Sequence, residues 1–153
     1  MEKTTYRTRW VIKADYPAMV QCNTNLTTDD IQQMLRKRNT IGMIVEDCEE
    51  HVIGFFIYSL RKNYIVLEEM AVNEIYKEGP IYWTIAKKLM DKVFNKKRGL
   101  RWRIDYYIND SQNSYRAATK LIEYGWRQIG NRLYWIELTD YSQEIENDPL
   151  CTL

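Results

Sequence analysis

Two β-rich runs, joined by a short polar turn and followed by an amphipathic helix, constrain the fold more than any other feature of the sequence. Residues 51–60 and 64–72 are predicted strands, and Arg61, Lys62 and Asn63 form the turn between them. Strands joined so tightly run antiparallel. The helix predicted from residue 80 to about residue 97 repeats apolar side chains every four positions, so one broad face packs against the sheet.

The flanking segments add further strands and helices to this unit. A strand at 7–13 and helices at 17–23 and 27–37 precede a strand at 40–46. A strand at 100–108 lies parallel to 64–72 in a right-handed β-α-β unit. A helix at 115–124 and a hairpin of 126–129 and 133–138 follow. The predicted fold is α/β, with a mixed, mostly antiparallel sheet of six to seven strands, helices on both faces and the order β-α-α-β-β-β-α-β-α-β-β.

Composition excludes several classes of protein. The 153 residues suit one domain, predicted at 1–140, with an acidic tail at 141–153. The net charge of +1 gives no general attraction to nucleic acid, and no apolar run is long enough to span a membrane. Cys22, Cys48 and Cys151 lack the spacing of a metal site or a disulfide framework. They indicate reduced thiols and a cytoplasmic location, and no metal site is predicted.

The element order, together with EEHVIGFFIYSL, LEEMAV and the closing EYGW, resembles the GNAT (Gcn5-related N-acetyltransferase) superfamily over nearly the whole chain. The region RNTIGMIVEDCEEHVIGFFIYSL is most similar to the branch that acetylates the N-terminal amines of ribosomal proteins. The resemblance implies transfer of an acetyl group from acetyl-CoA to an amine, either a protein N-terminus or a small amine.

The resemblance also implies where acetyl-CoA binds. In the family, the strand matching 64–72 parts from its parallel neighbour, and its backbone binds the pantetheine arm. The following turn and helix N-terminus bind the pyrophosphate, because free amides and the helix dipole favour an anion. The matching residues of the strand and the turn are Met70, Ala71, Val72, Lys77, Gly79, Ile81 and Tyr82.

The turn departs from the family pattern at both of its glycines. Pro80 stands at the first glycine position and has no N–H to donate, while Tyr82 places a ring at the second. The remaining donors are Lys77 and the amides of Gly79, Ile81 and Tyr82. As an alternative, Gly79 and Pro80 simply start a helix, since proline is common at its first position.

Two adjacent glutamates are candidates for the general base of acetyl transfer. Glu68 is the first candidate and Glu69 the second; with a period of two they face opposite sides of the sheet. The alternative is that one or both pair with Lys or Arg. The family's acid, a Tyr, is replaced by Leu121, and Tyr124 or Tyr107 is a candidate substitute, with simple packing as the alternative.

Two further questions stay open at the level of sequence. The missing glycines and the missing Tyr favour, as an alternative to the enzyme, an inactive GNAT-like module that serves in binding or structure. The closing hairpin is rich in Trp126, Tyr134 and Trp135, which makes its edge a candidate homodimer surface.

Overall fold

Seven strands and four α-helices follow one another in the order that the sequence predicts. The computed structural model describes residues 6–62, 64–76, 81–94, 103–109 and 111–136. The elements are β1 Arg7–Trp10, α1 Tyr16–Cys22, α2 Thr28–Arg36, β2 Thr40–Glu46, β3 Val52–Leu60, β4 Tyr64–Val72, α3 Ile81–Phe94, β5 Arg103–Tyr107, α4 Gln112–Glu123, β6 Arg127–Ile129 and β7 Arg132–Ile136.

The strands form a single mixed sheet in the order β1-β2-β3-β4-β5-β7-β6. β4 and β5 are the parallel pair, and the other neighbouring strands in this part of the chain are antiparallel. The last strand, β7, lies between β5 and β6, so β6 is at the edge. The prediction of a mostly antiparallel sheet with a β-α-β unit at its centre is therefore confirmed.

Each face of the sheet buries its own hydrophobic cluster, as predicted for a sheet with helices on both sides. On one face, α3 and α4 pack through residues such as Ile85 and Leu121. On the other, α1 and α2 contribute Met19 and Ile31. β4 supplies side chains to both clusters, so it is fixed from both faces.

Gly54 on β3 allows β3, β4 and the start of α3 to approach closely. A Cβ atom at this position would lie 2.8 Å from the backbone oxygen of Ala71 and 2.8 Å from Cδ1 of Ile81. A side chain here would push β4 and the start of α3 away from β3. The glycine therefore sets the position of the end of β4, where the candidate site lies.

The three aromatic side chains that the sequence placed on the surface of the closing hairpin are buried. Trp126, Tyr134 and Trp135 are 2%, 2% and 9% exposed, so the predicted homodimer surface is wrong for these three side chains. Trp126 and Trp135 pack into the cluster under α3 and α4, and Tyr134 lies on β7, between β5 and β6. The predicted tail at 141–153 lies outside the described residues. Among the helices of the described ranges, none has the length and apolarity required to cross a membrane.

Candidate functional site

β4 and β5 separate part-way along β4. Their parallel pairing starts at Tyr64 with Arg103 and ends at Leu67 with Tyr106, whereas β4 continues to Val72. On its other edge, β4 stays paired with β3 to its end. The second half of β4 therefore has an edge that the described part of β5 does not cover. We call this gap the β4–β5 opening.

A β-bulge in β4 lies at the start of this opening. Ile57 of β3 pairs with Glu69, but the next residue, Tyr58, pairs with Leu67. Glu68 is therefore an extra residue on β4 without a partner in the β3 ladder. A bulge breaks the strict alternation of side chains along a strand, so two adjacent side chains can face the same side of the sheet.

The bulge overturns the prediction that Glu68 and Glu69 face opposite sides of the sheet. Leu67 and Met70 belong to the same cluster, under α3 and α4, whereas Ala71 belongs to the cluster under α1 and α2. The alternation is thus shifted by one residue after Leu67. Both carboxylates lie toward the α1 side of the sheet.

Glu68 is held by polar neighbours on that side. The Ser59 hydroxyl donates a hydrogen bond of 2.7 Å to Glu68 Oε1, and Arg61 Nη2 lies 3.7 Å from the same oxygen. This is the ion pair that the sequence left open as an alternative to catalysis. Glu68 is thus anchored to β3 and to the β3–β4 turn.

Glu69 is partly buried and has a different environment. Asn23, directly after α1, donates a hydrogen bond of 3.0 Å from Nδ2 to Glu69 Oε1. Burial raises the pKa of Glu69 from 4.5 to about 7, and the hydrogen bond from Asn23 offsets only part of this rise. A carboxyl group with this pKa gains and loses a proton readily at neutral pH.

The backbone of β4 turns hydrogen-bonding groups toward the opening. The N–H of Asn73 donates to the carbonyl of Ile53 on β3 at 2.8 Å. Because backbone groups alternate along a strand, those of Met70 and Val72 face the opposite side, which β5 has left. Asn113 Nδ2, in the first turn of α4, donates a 2.8 Å hydrogen bond to the Met70 carbonyl.

Tyr106 carries a buried hydroxyl at the inner end of the opening. It is 3% exposed, and its hydroxyl lies 3.0 Å from the hydroxyl of Ser114 on α4. Burial raises the pKa of Tyr106 to about 12; the Ser114 hydroxyl lowers it, and electrostatic interaction with Glu69 and Tyr82 adds to the rise. The phenol is therefore protonated at neutral pH and lies within electrostatic range of Glu69.

A polar cavity of about 220 Å³ lies at the outer end of the opening. Its wall comprises residues 21–25 at the end of α1, Val72 and Glu74 at the end of β4, and Asn113 and Arg116 on α4. Asn23 connects this cavity to Glu69, and Asn113 connects it to the backbone of β4. The arrangement combines a carboxyl that titrates near neutrality with backbone groups and a solvent-accessible space.

Several N-acetyltransferases are among the solved structures that are similar to this chain. The glucosamine N-acetyltransferase region of a fungal multi-domain β-N-acetylglucosaminidase has a TM-score of 0.68 at 14% identity, covering 86% of this chain but only 18% of that chain. The spermidine N-acetyltransferase of Vibrio cholerae, solved with CoA and spermine, has a TM-score of 0.66 at 13% identity, covering 86% and 95%. The chain has the GNAT fold.

The comparisons do not single out one branch of GNAT proteins. The ribosomal-protein-S18-alanine N-acetyltransferase of Escherichia coli has a TM-score of 0.63 at 14% identity, covering 85% of this chain and 91% of that chain. This score does not exceed that of the spermidine enzyme. No family model matches the sequence, and no curated protein matches it either.

The residues predicted to hold the phosphates of a GNAT cofactor are described in part. Lys77, Gly79 and Pro80 lie outside the described residues. Ile81 and Tyr82 form the first turn of α3, and both side chains are fully buried in the cluster under α3 and α4. The Tyr82 ring therefore points into the core and not outward from the helix N-terminus.

The candidate tyrosines lie in different places. Tyr107 is 55% exposed, at the end of β5. The Tyr124 ring meets the Trp83 ring edge-on at 5.0 Å, beside the first turn of α3. Leu121, at the position of the GNAT tyrosine, is fully buried. Neither Tyr107 nor Tyr124 is among the described residues that line the cavity.

Sequence analysis missed four polar residues of the site: Asn23, Tyr106, Asn113 and Arg116. One signal was available for Tyr106, since the alternation of Ile104, Tyr106 and Ile108 indicates that Tyr106 points inward and Tyr107 outward. Asn113 and Arg116 carry no such signal, because their contacts depend on how α4 lies against β4 and the turn that follows it.

Proposed function

We propose that this protein transfers an acetyl group from acetyl-CoA to an amine. The observation that carries the proposal is that β4 leaves β5 immediately beside Glu69, a partly buried carboxyl with a pKa near 7. Acetyl-CoA supplies the activated acetyl group when it is bound. The residues of this chain supply a binding edge, a proton acceptor and a partly enclosed space.

The residues present fit the pantetheine part of the donor. Met70 and Val72 face the β4–β5 opening with backbone groups, and Val72 also lines the cavity. Ala71, the third residue of this strand that the resemblance assigns to pantetheine, packs its buried side chain into the cluster under α1 and α2 and so holds this part of β4 in place. The donors proposed for the phosphates are Lys77 and the amides of Gly79, Ile81 and Tyr82, at the start of α3.

Glu69 is our proposed general base, ahead of Glu68. An amine must lose a proton to attack a thioester, and a base is most effective when its pKa lies near the working pH. Asn23 lines the cavity and donates a hydrogen bond to the Glu69 carboxyl, so this carboxyl lies directly behind the cavity wall. For protonation of the leaving thiolate, Tyr106 joins Tyr124 and Tyr107 as a candidate because its hydroxyl is buried where the β4–β5 pairing ends and lies within electrostatic range of Glu69.

Acetyl-CoA titration by calorimetry, followed by an assay of thiol release with amine acceptors, tests the proposal. We expect micromolar binding and turnover whose rate rises with pH through about 7 as Glu69 loses its proton. Glu69→Gln should lower kcat about 100-fold to 10,000-fold without weakening acetyl-CoA binding. Glu123→Gln, an exposed carboxylate at the end of α4, is the control and should leave kcat unchanged.

Two results of this experiment contradict parts of the proposal. If Glu68→Gln abolishes turnover and Glu69→Gln does not, the base is Glu68. If the wild-type protein binds no acetyl-CoA below millimolar concentrations, it is not an acetyltransferase.

A non-catalytic GNAT-like module is the second candidate function. Two observations favour it. The Asn113 side chain already donates a hydrogen bond to the Met70 carbonyl, and a buried Leu121 replaces the catalytic tyrosine of the family. This candidate predicts a folded protein that shows neither acetyl-CoA binding nor thiol release. The calorimetric titration therefore separates the two functions directly.

A further inference from the structure

An arginine in the wall of the cavity is paired with a carboxylate that a ligand can displace. Arg116 Nη1 lies 3.0 Å from Glu74 Oε2. The Arg116 side chain is 24% exposed, whereas that of Glu74 is 69% exposed. Among the described residues of the cavity wall, Arg116 is the one cation and Glu74 the one carboxylate. Ion pairs this exposed contribute little to stability, so an incoming anion can replace Glu74.

The proposed function places the acyl donor's phosphates at the connection between β4 and α3, and the ion pair lies at the first part of that connection. Glu74 is in a short 3-10 turn directly after β4, and α3 begins at Ile81. Arg116 reaches this connection from α4 through its hydrogen bond to Glu74. A guanidinium offers parallel N–H groups that match two phosphate oxygens, which a single backbone amide cannot do.

We propose that Arg116 binds the diphosphate of the acyl donor and that Glu74 occupies the guanidinium until the donor displaces it. The inference rests on the proposed acetyltransferase function. It explains how the chain holds a diphosphate although proline and tyrosine replace both glycines of the turn before α3. The hydrogen bonds of the guanidinium replace those that the two glycine positions supply in the family.

Calorimetry with CoA tests the inference in three variants. Arg116→Ala should weaken CoA binding about 10-fold to 100-fold, the effect of losing a hydrogen bond between charged groups. Glu74→Gln should strengthen binding, because the competing carboxylate loses its charge. Lys120→Ala, which removes a cation one turn further along α4, is the matched control and should leave binding unchanged.

The opposite signs distinguish ligand binding from a structural role. Both Arg116→Ala and Glu74→Gln break the same ion pair, so a purely structural contact would change CoA affinity in the same direction in both variants. That result would overturn the inference. Equal CoA affinity of wild type and Arg116→Ala would also overturn it while leaving the acetyltransferase proposal intact.

A second titration with 3′-dephospho-CoA identifies the phosphate concerned. The defect of Arg116→Ala should persist with this ligand, because the diphosphate is still present. If the defect disappears, Arg116 contacts the 3′-phosphate and the assignment to the diphosphate is wrong. If the wild-type protein binds neither ligand, the proposed function fails together with this inference.

Discussion

Glu68 and Glu69 are identical side chains at adjacent positions, yet β4 places them in different chemical environments. Glu68 accepts a hydrogen bond from Ser59 and lies near Arg61. Glu69 accepts a hydrogen bond from one amide, that of Asn23, and burial has the larger effect on its pKa. The bulge turns both carboxylates to one face, where Glu68 meets Ser59 on β3 and Glu69 meets Asn23 after α1.

We predict that Glu69→Gln changes how stability depends on pH. The folded state raises the Glu69 pKa from 4.5 to about 7, so the folded protein holds this proton more tightly than the unfolded chain. Stability should therefore fall as the pH rises from about 4.5 to 7 and stay low above that range. The shift corresponds to at most about 3 kcal/mol.

Urea unfolding of the wild type and of Glu69→Gln at pH 5 and pH 8 measures this effect. The variant should be more stable than the wild type at pH 8. Its free energy of unfolding should not fall between pH 5 and pH 8. Glu123→Gln, with an exposed side chain, should keep the wild-type profile. Parallel profiles for wild type and Glu69→Gln would show that Glu69 titrates at its ordinary pKa.

At the scale of elements, the contact of β3 with β4 and α3 depends on the absence of a side chain at Gly54. We predict that Gly54→Ala destabilises the protein by about 1–3 kcal/mol, because the new methyl group meets the immobile backbone oxygen of Ala71. Gly42→Ala, whose methyl group would meet only side-chain atoms of Leu35 and Val11, should cost less. Urea unfolding compares the two, and equal losses would contradict this account of Gly54.

The attachment of α4 to β4 gives a second prediction at this scale. Asn113→Ala removes the donor to the Met70 carbonyl, which should cost about 1 kcal/mol and free that carbonyl for a ligand. Acetyl-CoA affinity should rise, whereas Thr119→Ala, which loses only a bond within α4, should not change it. A fall in affinity for Asn113→Ala in calorimetry would mean that the amide itself contacts the ligand.

For the whole molecule, local patterns predicted the element order and much less of the site. The apolar periodicities of 51–60, 64–72 and the central helix fixed the strands and helices, because burial of one face determines each of them. The bulge at Glu68 leaves no such pattern in the sequence, because it depends on how Ile57 and Tyr58 of β3 pair with the residues of β4. Arg116 meets Glu74 only because α4 crosses the end of β4, a long-range contact that spacing does not reveal.

Acetyl-CoA should stabilise the whole domain if it binds in the β4–β5 opening. The ligand would contact β4, α3 and α4, which belong to one hydrophobic cluster, so its binding energy adds to the stability of that unit. At 100 times its dissociation constant, a ligand specific for the folded state contributes about 2.7 kcal/mol. For a chain of this size, that corresponds to a rise in Tm of about 5–10 °C.

Thermal unfolding with acetyl-CoA, and with ATP as a control for general anion effects, measures the shift. Equal shifts with both ligands would show that charge alone is recognised, and no shift would favour the non-catalytic module.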